Sequence, residues 1–441
     1  TSSAAFRNPE LIPDMVRALG ADKVTVAIDV DRNPAMASGY EVYIDGGRTA
    51  TGEDAIEWAK RVDGYGVPVI LPTSKAGDGS RTGYDLPVIR AMKQVVSAEI
   101  VASGGAGSLE HFYEAAEAGA TILATGGAMR VFPLVTAPEE LTGDGLAMAL
   151  RCGVGLQDME FPMFLPYVFI TPPALRGVIF SYDVSALLHV YALNRHGERY
   201  MTRWDPELLE RTTRDINSVA AAVEIRAGRG SPAGGTYLSF SHLPSNLVDF
   251  SSNWFPENLR SWRAGGFALR KLFPNPDEAW EVAPACHFWN GGVRIDEECR
   301  TGVPGLFAAG EGTAGIHGAN RLAGNALTMT QVWGRRAGIA AADFAKAASW
   351  RSSPSAKMED LARRVQDLLS PRSGPSVVEV RKEIQRVAGE EVGIVRDEDR
   401  LLQALDSIDS LRNALSDQRV VSTDLRFNRE WVEGLQNENM L

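Results

Sequence analysis

The fold class predicted from this sequence is α/β, with parallel strands early in the chain, glycine-rich strand ends in the middle and helices at its close. Three observations predict it. Residues 23–119 alternate β-branched runs with helical spacing. From Thr121 onward, short strands run directly into glycine turns, as in "TILATGG" and "LFAAGEG". Residues 357–441 carry apolar positions at helical intervals, as in "VVEVRKEIQRVAGEEVGIV".

The first strand is "KVTVAIDV" (Lys23–Val30), a β-branched run of buried-strand length. "GEDAIEWAKRVDGYG" follows with Ala55, Trp58, Ala59 and Val62 on one helical face. "VPVILPTS" is the next strand, "DLPVIRAMKQVV" the next helix and "EIVASGG" a third strand. "SLEHFYEAAEAG" closes the series, with Ser108 as N-cap and Gly119 as helix stop. Such alternation demands parallel strands and right-handed crossovers, with chemistry at the strand C-termini. Those ends carry Asp29, the polar loop Thr73–Asp85 and "SGGAG" (Ser103–Gly107), whose amides suit a phosphate. Further on, Gly143-Asp144-Gly145 starts a helix over Leu146–Arg151. A strand Leu306–Ala309 leads through a glycine-rich loop to a helix from about Asn325. Amphipathic spacing predicts another helix over Leu208–Ala227.

Composition narrows the function. With 45 Lys+Arg against 56 Asp+Glu the net charge is −11, which argues against a nucleic-acid partner. No apolar run nears the roughly 20 residues of a membrane span, and no secretory signal opens the chain, so a cytoplasmic location is expected. Cys152, Cys286 and Cys299 are scattered without metal spacing, and no metal site is expected.

"VAIDV", "TS…DGSRTGYD" and "ASGGAGSLEHFYEAAEAGA" occur in one order, and together they resemble the second half of the cyclase subunit of imidazole glycerol phosphate synthase, a (βα)8-barrel. The resemblance implies Asp29 as an acid/base, Asp78 as its polar neighbour, and Gly79, Ser80, Gly105 and Gly107 as phosphate-binding residues. A strand-end carboxylate satisfied by backbone amides is the structural alternative for Asp29. Cyclisation needs acid and base roles on opposite sides of the substrate, and the family's other aspartate belongs to its first half.

"ILATGG", "TGDGLAMA", "DMEF", "RDINSVAAAVEIRAGRG", "CHFWNGGV", "PGLFAAGE" and "HGANRLAGNAL" form a second series, and residues 121–441 resemble the fumarate reductase/succinate dehydrogenase flavoprotein family. That likeness implies FAD, lined by Thr125, Gly126, Gly127, Asp144, Glu311, Asn325 and Leu327. Reducing an activated C=C bond needs hydride, cations on the substrate carboxylates and a proton donor. Arg321 has the fork geometry of a carboxylate clamp. His287 can donate to a carboxylate, and the resemblance makes Arg214 the proton-delivering arginine. An ordinary helix ion pair remains the alternative for Arg214, and loop ordering the alternative for His317. Where the family commonly reads "QFHPT", this chain has "MFLPY" (Met163–Tyr167), so Leu165 and Tyr167 are expected to line a more apolar pocket, suited to an apolar acid or a ketosteroid-like substrate.

No Gly-x-Gly-x-x-Gly segment that ends a strand, opens a helix and precedes an acidic residue is found; "GGAGSLE" has Glu110 at the third glycine. The expected organisation is a (βα)4 half-barrel-like unit at 1–120 joined to an incomplete FAD-binding α/β domain at 121–182 and 286–345. An α+β capping domain at 183–285 and a C-terminal helical bundle at 357–441 complete it. "TILATGG" stands where an eighth barrel strand belongs, so the half-barrel sheet is expected to dock where a dinucleotide-binding sheet would lie. The function expected is a flavin-dependent oxidoreductase acting on a small carboxylic acid, impaired by the missing half and served by an electron-transfer partner. The alternatives are a cyclase-type lyase of histidine biosynthesis and a chimeric scaffold without catalysis. Open half-barrel edges favour self-association.

Overall fold

The computed structural model describes residues 3–21, 24–75, 85–101, 120–180, 189–239, 241–242, 279–348, 355–424 and 428–441. They form two compact units. One comprises Thr1–Gly127, Gly143–Met159 and Asn290–Ser370; the other comprises Ala128–Thr142, Glu160–Trp289 and Pro371–Leu441.

In the first unit, β1 (Thr25–Arg32), β2 (Tyr40–Ile44), β3 (Thr49–Asp54), β4 (Val69–Ser74) and β5 (Glu99–Ile100) form one sheet in the order β3-β2-β1-β4-β5. β1, β4 and β5 pair in parallel, as the alternating pattern predicts. Val26, Ile28 and Val30 point to one face, where Trp58, Ala59, Val62, Val88 and Met92 cover them. Each such burial contributes roughly 1.5–3 kcal/mol. The covering helix Ala55–Gly64 is started by Asp54, whose carboxylate accepts from the amides of Ile56 and Glu57.

The hairpin β2–β3 is an addition to the predicted series. Its strands are antiparallel, and β2 adds to the free side of β1. Glu41 lies on the face away from the helices and is nonetheless buried. It accepts from Asn33 Nδ2 at 2.8 Å and from the Gly52 amide at 2.6 Å.

After the first five strands come β6 (Thr121–Leu123), β7 (Leu156–Gln157), β8 (Pro162–Phe169), β9 (Tyr191–Leu193), β10 (Thr236–Ser239), β11 (Trp280–Trp289), β12 (Gly292–Val293) and β13 (Leu306–Ala308). β6 pairs in parallel with β13 alone, in a separate two-stranded sheet. Its surroundings are Cys299, Ala309 and Ala337 with Ile122, Ile295 and Trp333, whereas the half-barrel core is drawn from residues 5–100. Among the described residues the half-barrel sheet therefore shares no strand with the later part of the chain. The expected docking into a common sheet is corrected: β6 finds its ladder partner about 185 residues downstream, in a sheet apart from that of β5.

The second unit is built on an antiparallel sheet in the order β8-β11-β10-β9. The helix Arg214–Glu224 packs on β8, and Tyr167, Phe169, Val190, Ala220, Leu238 and Val282 fill the core. This helix is shorter than the predicted Leu208–Ala227. Asn217 Nδ2 donates to the carbonyls of Glu210, Thr212 and Thr213, which holds the preceding chain in a turn. Gly228, at φ 75°, ends the helical run on the other side. The helices Val377–Arg386, Glu398–Ser416 and Arg429–Met440 make a bundle around Val380, Ile384 and Leu411. Among the described residues no helix is long and apolar enough to cross a membrane.

Candidate functional site

The parallel pair β6 and β13 ends in two loops that glycine brings into contact. Open parallel sheets offer their ligand crevice at such carboxyl ends. A Cβ built on Gly145 would overlap Thr125 Oγ1, and one built on Gly312 would sit 3.1 Å from the Gly126 carbonyl oxygen. One on Gly292 would overlap the Gly312 carbonyl, and one on Gly291 the Asp158 carbonyl. These contacts gather five backbone segments, at residues 125–126, 145, 158, 291–292 and 312. Val293 donates to Gly312 O at 2.8 Å, and Arg294 donates to Gly155 O at 2.9 Å, so β12 is held on both edges.

Thr125, Gly126 and Gly127 follow β6 directly. Asp144 is half-buried in the first turn of the helix Asp144–Arg151, behind Gly143 at φ 82°. Glu311 lies half-buried between Gly310 and Gly312. The structure thus brings Thr125, Gly126, Asp144 and Glu311 into one loop cluster. Asn325 and Leu327 lie at the start of the helix Asn325–Ala347 and are exposed, Leu327 to 78%.

Arg321 is buried in the loop ahead of that helix. Asn290 Nδ2 pins the same loop by donating to Ala319 O at 2.9 Å. His317 is held below its ordinary imidazole value, first by burial and then by the Arg321 charge.

One feature escaped sequence reading. Gly310-Glu311-Gly312-Thr313-Ala314-Gly315 has the literal Gly-x-Gly-x-x-Gly spacing and follows β13. The chain then turns through residues 316–324 before the helix at Asn325, so no helix N-terminus meets the third glycine. The spacing alone could have flagged it; the delayed helix distinguishes it from a pyrophosphate turn.

In the second unit, His287 lies half-buried on β11, and its Nδ1 is 2.8 Å from Thr136 Oγ1. Arg214 is the first residue of its helix and is half-buried. Leu165 and Tyr167 do not line an apolar pocket as expected: both are buried in packed cores, and Tyr167 Oη donates to Asn217 Oδ1 at 2.7 Å. A phenol this large is accommodated here because its hydroxyl finds a buried partner.

In the half-barrel, Asp29 is half-buried in the middle of β1, in register with Tyr43 and Thr73, on the face opposite the helices. Asp78, Gly79, Ser80, Gly105 and Gly107 lie outside the described residues. No metal-holding group of His, Cys, Asp or Glu occurs among the described residues.

Comparison with known proteins agrees with both series of motifs. Residues 88–327 match the FAD binding domain family, residues 381–441 the fumarate reductase flavoprotein C-terminal family, and residues 1–130 the histidine biosynthesis protein family. One subunit of the fumarate reductase (CoM/CoB) of Methanothermobacter marburgensis is 40% identical over 325 residues, covering 74% of this chain and 57% of that protein. The fumarate reductase flavoprotein subunit of Mycobacterium tuberculosis is 33% identical over 345 residues, covering 74% and 57%. The solved Mycobacterium smegmatis Sdh1 in complex with UQ1 superposes with a TM-score of 0.64 at 33% identity, covering 73% of this chain and 52% of that one. The chain spans about half the length of the curated relatives it matches. Open space lies beside two of these loops, since Cβ positions built on Gly310 and Gly324 meet nothing within 4 Å, while neighbouring glycines hold the loops together.

Proposed function

From the premise that this chain belongs to the fumarate reductase/succinate dehydrogenase flavoprotein family, with FAD as its cofactor, we propose that it is a flavin-dependent oxidoreductase of small carboxylic acids. Bound FAD supplies hydride exchange with a C=C or CH–CH bond. The glycine-packed loop cluster after β6 and β13, which coincides with the FAD-binding match, is the observation that carries this reading. Thr125, Gly126, Gly127, Asp144 and Glu311 hold the cofactor from that cluster, and Asn325 and Leu327 from the helix start.

Arg321 is the carboxylate clamp in this proposal, since a buried guanidinium presents paired donors that match two oxygens. Burial and the Arg321 charge both disfavour a second positive charge on the neighbouring His317. His287 donates a hydrogen bond to substrate, and Arg214 delivers the proton. A guanidinium is a poor acid, so Arg214 acts only with a strongly perturbing substrate complex. An electron-transfer partner restores the flavin.

Titration of FAD against the full chain, read by quenching of flavin fluorescence, tests this proposal. Saturable binding at micromolar FAD is the expected outcome, and unchanged fluorescence would remove it. The histidine-biosynthesis match supports a second, weaker reading of residues 1–130 as a cyclase-type lyase half centred on Asp29. Ammonia-dependent turnover of a phosphorylated imidazole precursor lost on Asp29→Asn would favour it. Neither activity, with a single cooperative melting transition, would favour a scaffold.

A further inference from the structure

We propose that Thr136 is a positioning residue for His287: its hydroxyl donates to Nδ1 and so keeps the imidazole proton on Nε2. This inference rests on the reading of His287 as a carboxylate donor and adds the residue that makes it one. The geometry is local and specific. Thr136 Oγ1 lies 2.8 Å from His287 Nδ1, and the two residues are 151 positions apart.

The backbone enforces the pairing. Cys286 N donates to Leu134 O at 3.0 Å, Thr136 N donates to Cys286 O at 3.1 Å, and Val135 bridges Cys286 in parallel. Residues 134–136 therefore run beside β11 as a short extra strand, while Phe164 of β8 pairs with Cys286 on its other edge. The segment is also anchored at its start: Gln385 Nε2 donates to Arg130 O at 3.0 Å, and Gly389 packs against Pro133 so closely that a Cβ there would sit 2.8 Å from its ring. Glu139, near its end, pairs with Arg429. Thr136 is thus presented to His287 from a strand tied to the helical bundle.

A threonine hydroxyl can donate or accept, so the direction of the bond follows from the carboxylate role of His287. A neutral imidazole has one donor and one acceptor nitrogen, and the partner of one decides the role of the other. A carboxylate accepts only, so it requires the proton on Nε2. Donation from Thr136 then completes Nδ1 as acceptor and holds the ring with Nε2 as the donor. With Nδ1 protonated instead, Nε2 would turn a lone pair toward the carboxylate.

Ring nitrogen shifts of the full chain, labelled with 15N and held where imidazole is neutral, test the proposal. The His287 signals are identified by their loss in His287→Gln. The expected pattern is a protonated Nε2 and a bare Nδ1 in the unmodified chain and in Thr136→Ser, replaced by averaged signals in Thr136→Val. A protonated Nδ1 in the unmodified chain, or a pattern unmoved by Thr136→Val, overturns the proposal. Should Thr136→Val fail to fold, the pattern of the unmodified chain still decides. Succinate, added as a carboxylate probe, tests the underlying reading separately. It is expected to shift Nε2 in the unmodified chain and to bind about tenfold more weakly to Thr136→Val, which corresponds to about 1.4 kcal/mol. Failure of succinate to move Nε2 counts against the carboxylate role of His287, whereas the ring pattern alone decides Thr136.

Discussion

Gly145 lies so close to Thr125 that any side chain at 145 would overlap the threonine hydroxyl. This contact joins the turn after β6 to the start of the helix Asp144–Arg151, and it places Asp144 beside the Gly126 loop. Gly145→Ala is therefore expected to destabilise the first unit by about 1–3 kcal/mol, the usual cost of overpacking. Thermal melting checks it. Because Thr125→Ala removes the clashing oxygen, the double variant should lose less than the two single losses added together.

Arg321 and His317 are coupled by charge. Burial and then Arg321 hold the His317 imidazole below its ordinary value of 6.5. Arg321→Gln should raise the His317 titration midpoint, read from its ring proton shifts against pH. A group whose folded value is depressed stabilises the fold above its unfolded value and loses that contribution as pH falls through the folded one. Stability from this imidazole is thus full above about 6.5 and declines in mild acid. The loss in acid should be smaller in Arg321→Gln, because the folded value then lies nearer the unfolded one.

Glu224 gives the second unit its acid sensitivity. Burial alone would push its carboxyl up, but hydrogen bonds from Arg229, Asn194 and Arg203 together bring it down to about 2. The stabilisation is present above its ordinary value near 4.5 and is lost as pH falls toward 2. Arg203 and Arg229 are partly exposed, so solvent screening leaves an effect of about 1–2 kcal/mol. Denaturation midpoints measured across that window should fall less steeply in Glu224→Gln than in the unmodified chain.

Tyr167→Phe should cost about 1–2 kcal/mol, because it strands the buried Asn217 Oδ1. Asn217 also ties the turn ahead of Arg214, so near-ultraviolet circular dichroism should change together with the denaturation midpoint. Tyr167→Thr, which restores the residue common in the family, should cost more, because it leaves a cavity in a packed core.

The sequence exposed those parts of the fold whose signals are local. β1, β4 and β5 were legible because β-branched runs alternate with capped helices, and the loops after β6 and β13 because glycine clusters mark close backbone approaches. The hairpin β2–β3 was missed, and the partners of its buried Glu41, Asn33 and Gly52, cannot be known from spacing. The partner of β6 was misread for a related reason: pairing to β13 is long-range, and the adjacent parallel strands offered a nearer choice. Tyr167 was read as pocket lining because its acceptor, Asn217, lies 50 positions away. Thr136 gave no signal at all, since a lone threonine in a loop acquires meaning only from the histidine it meets.

The most direct measurement is equilibrium binding of FAD to the full chain, followed by flavin fluorescence. The glycine-packed cluster after β6 and β13 predicts saturable quenching at micromolar FAD, with affinity reduced at least about tenfold in Gly145→Ala. Fluorescence that stays at the level of free flavin throughout the titration would contradict it.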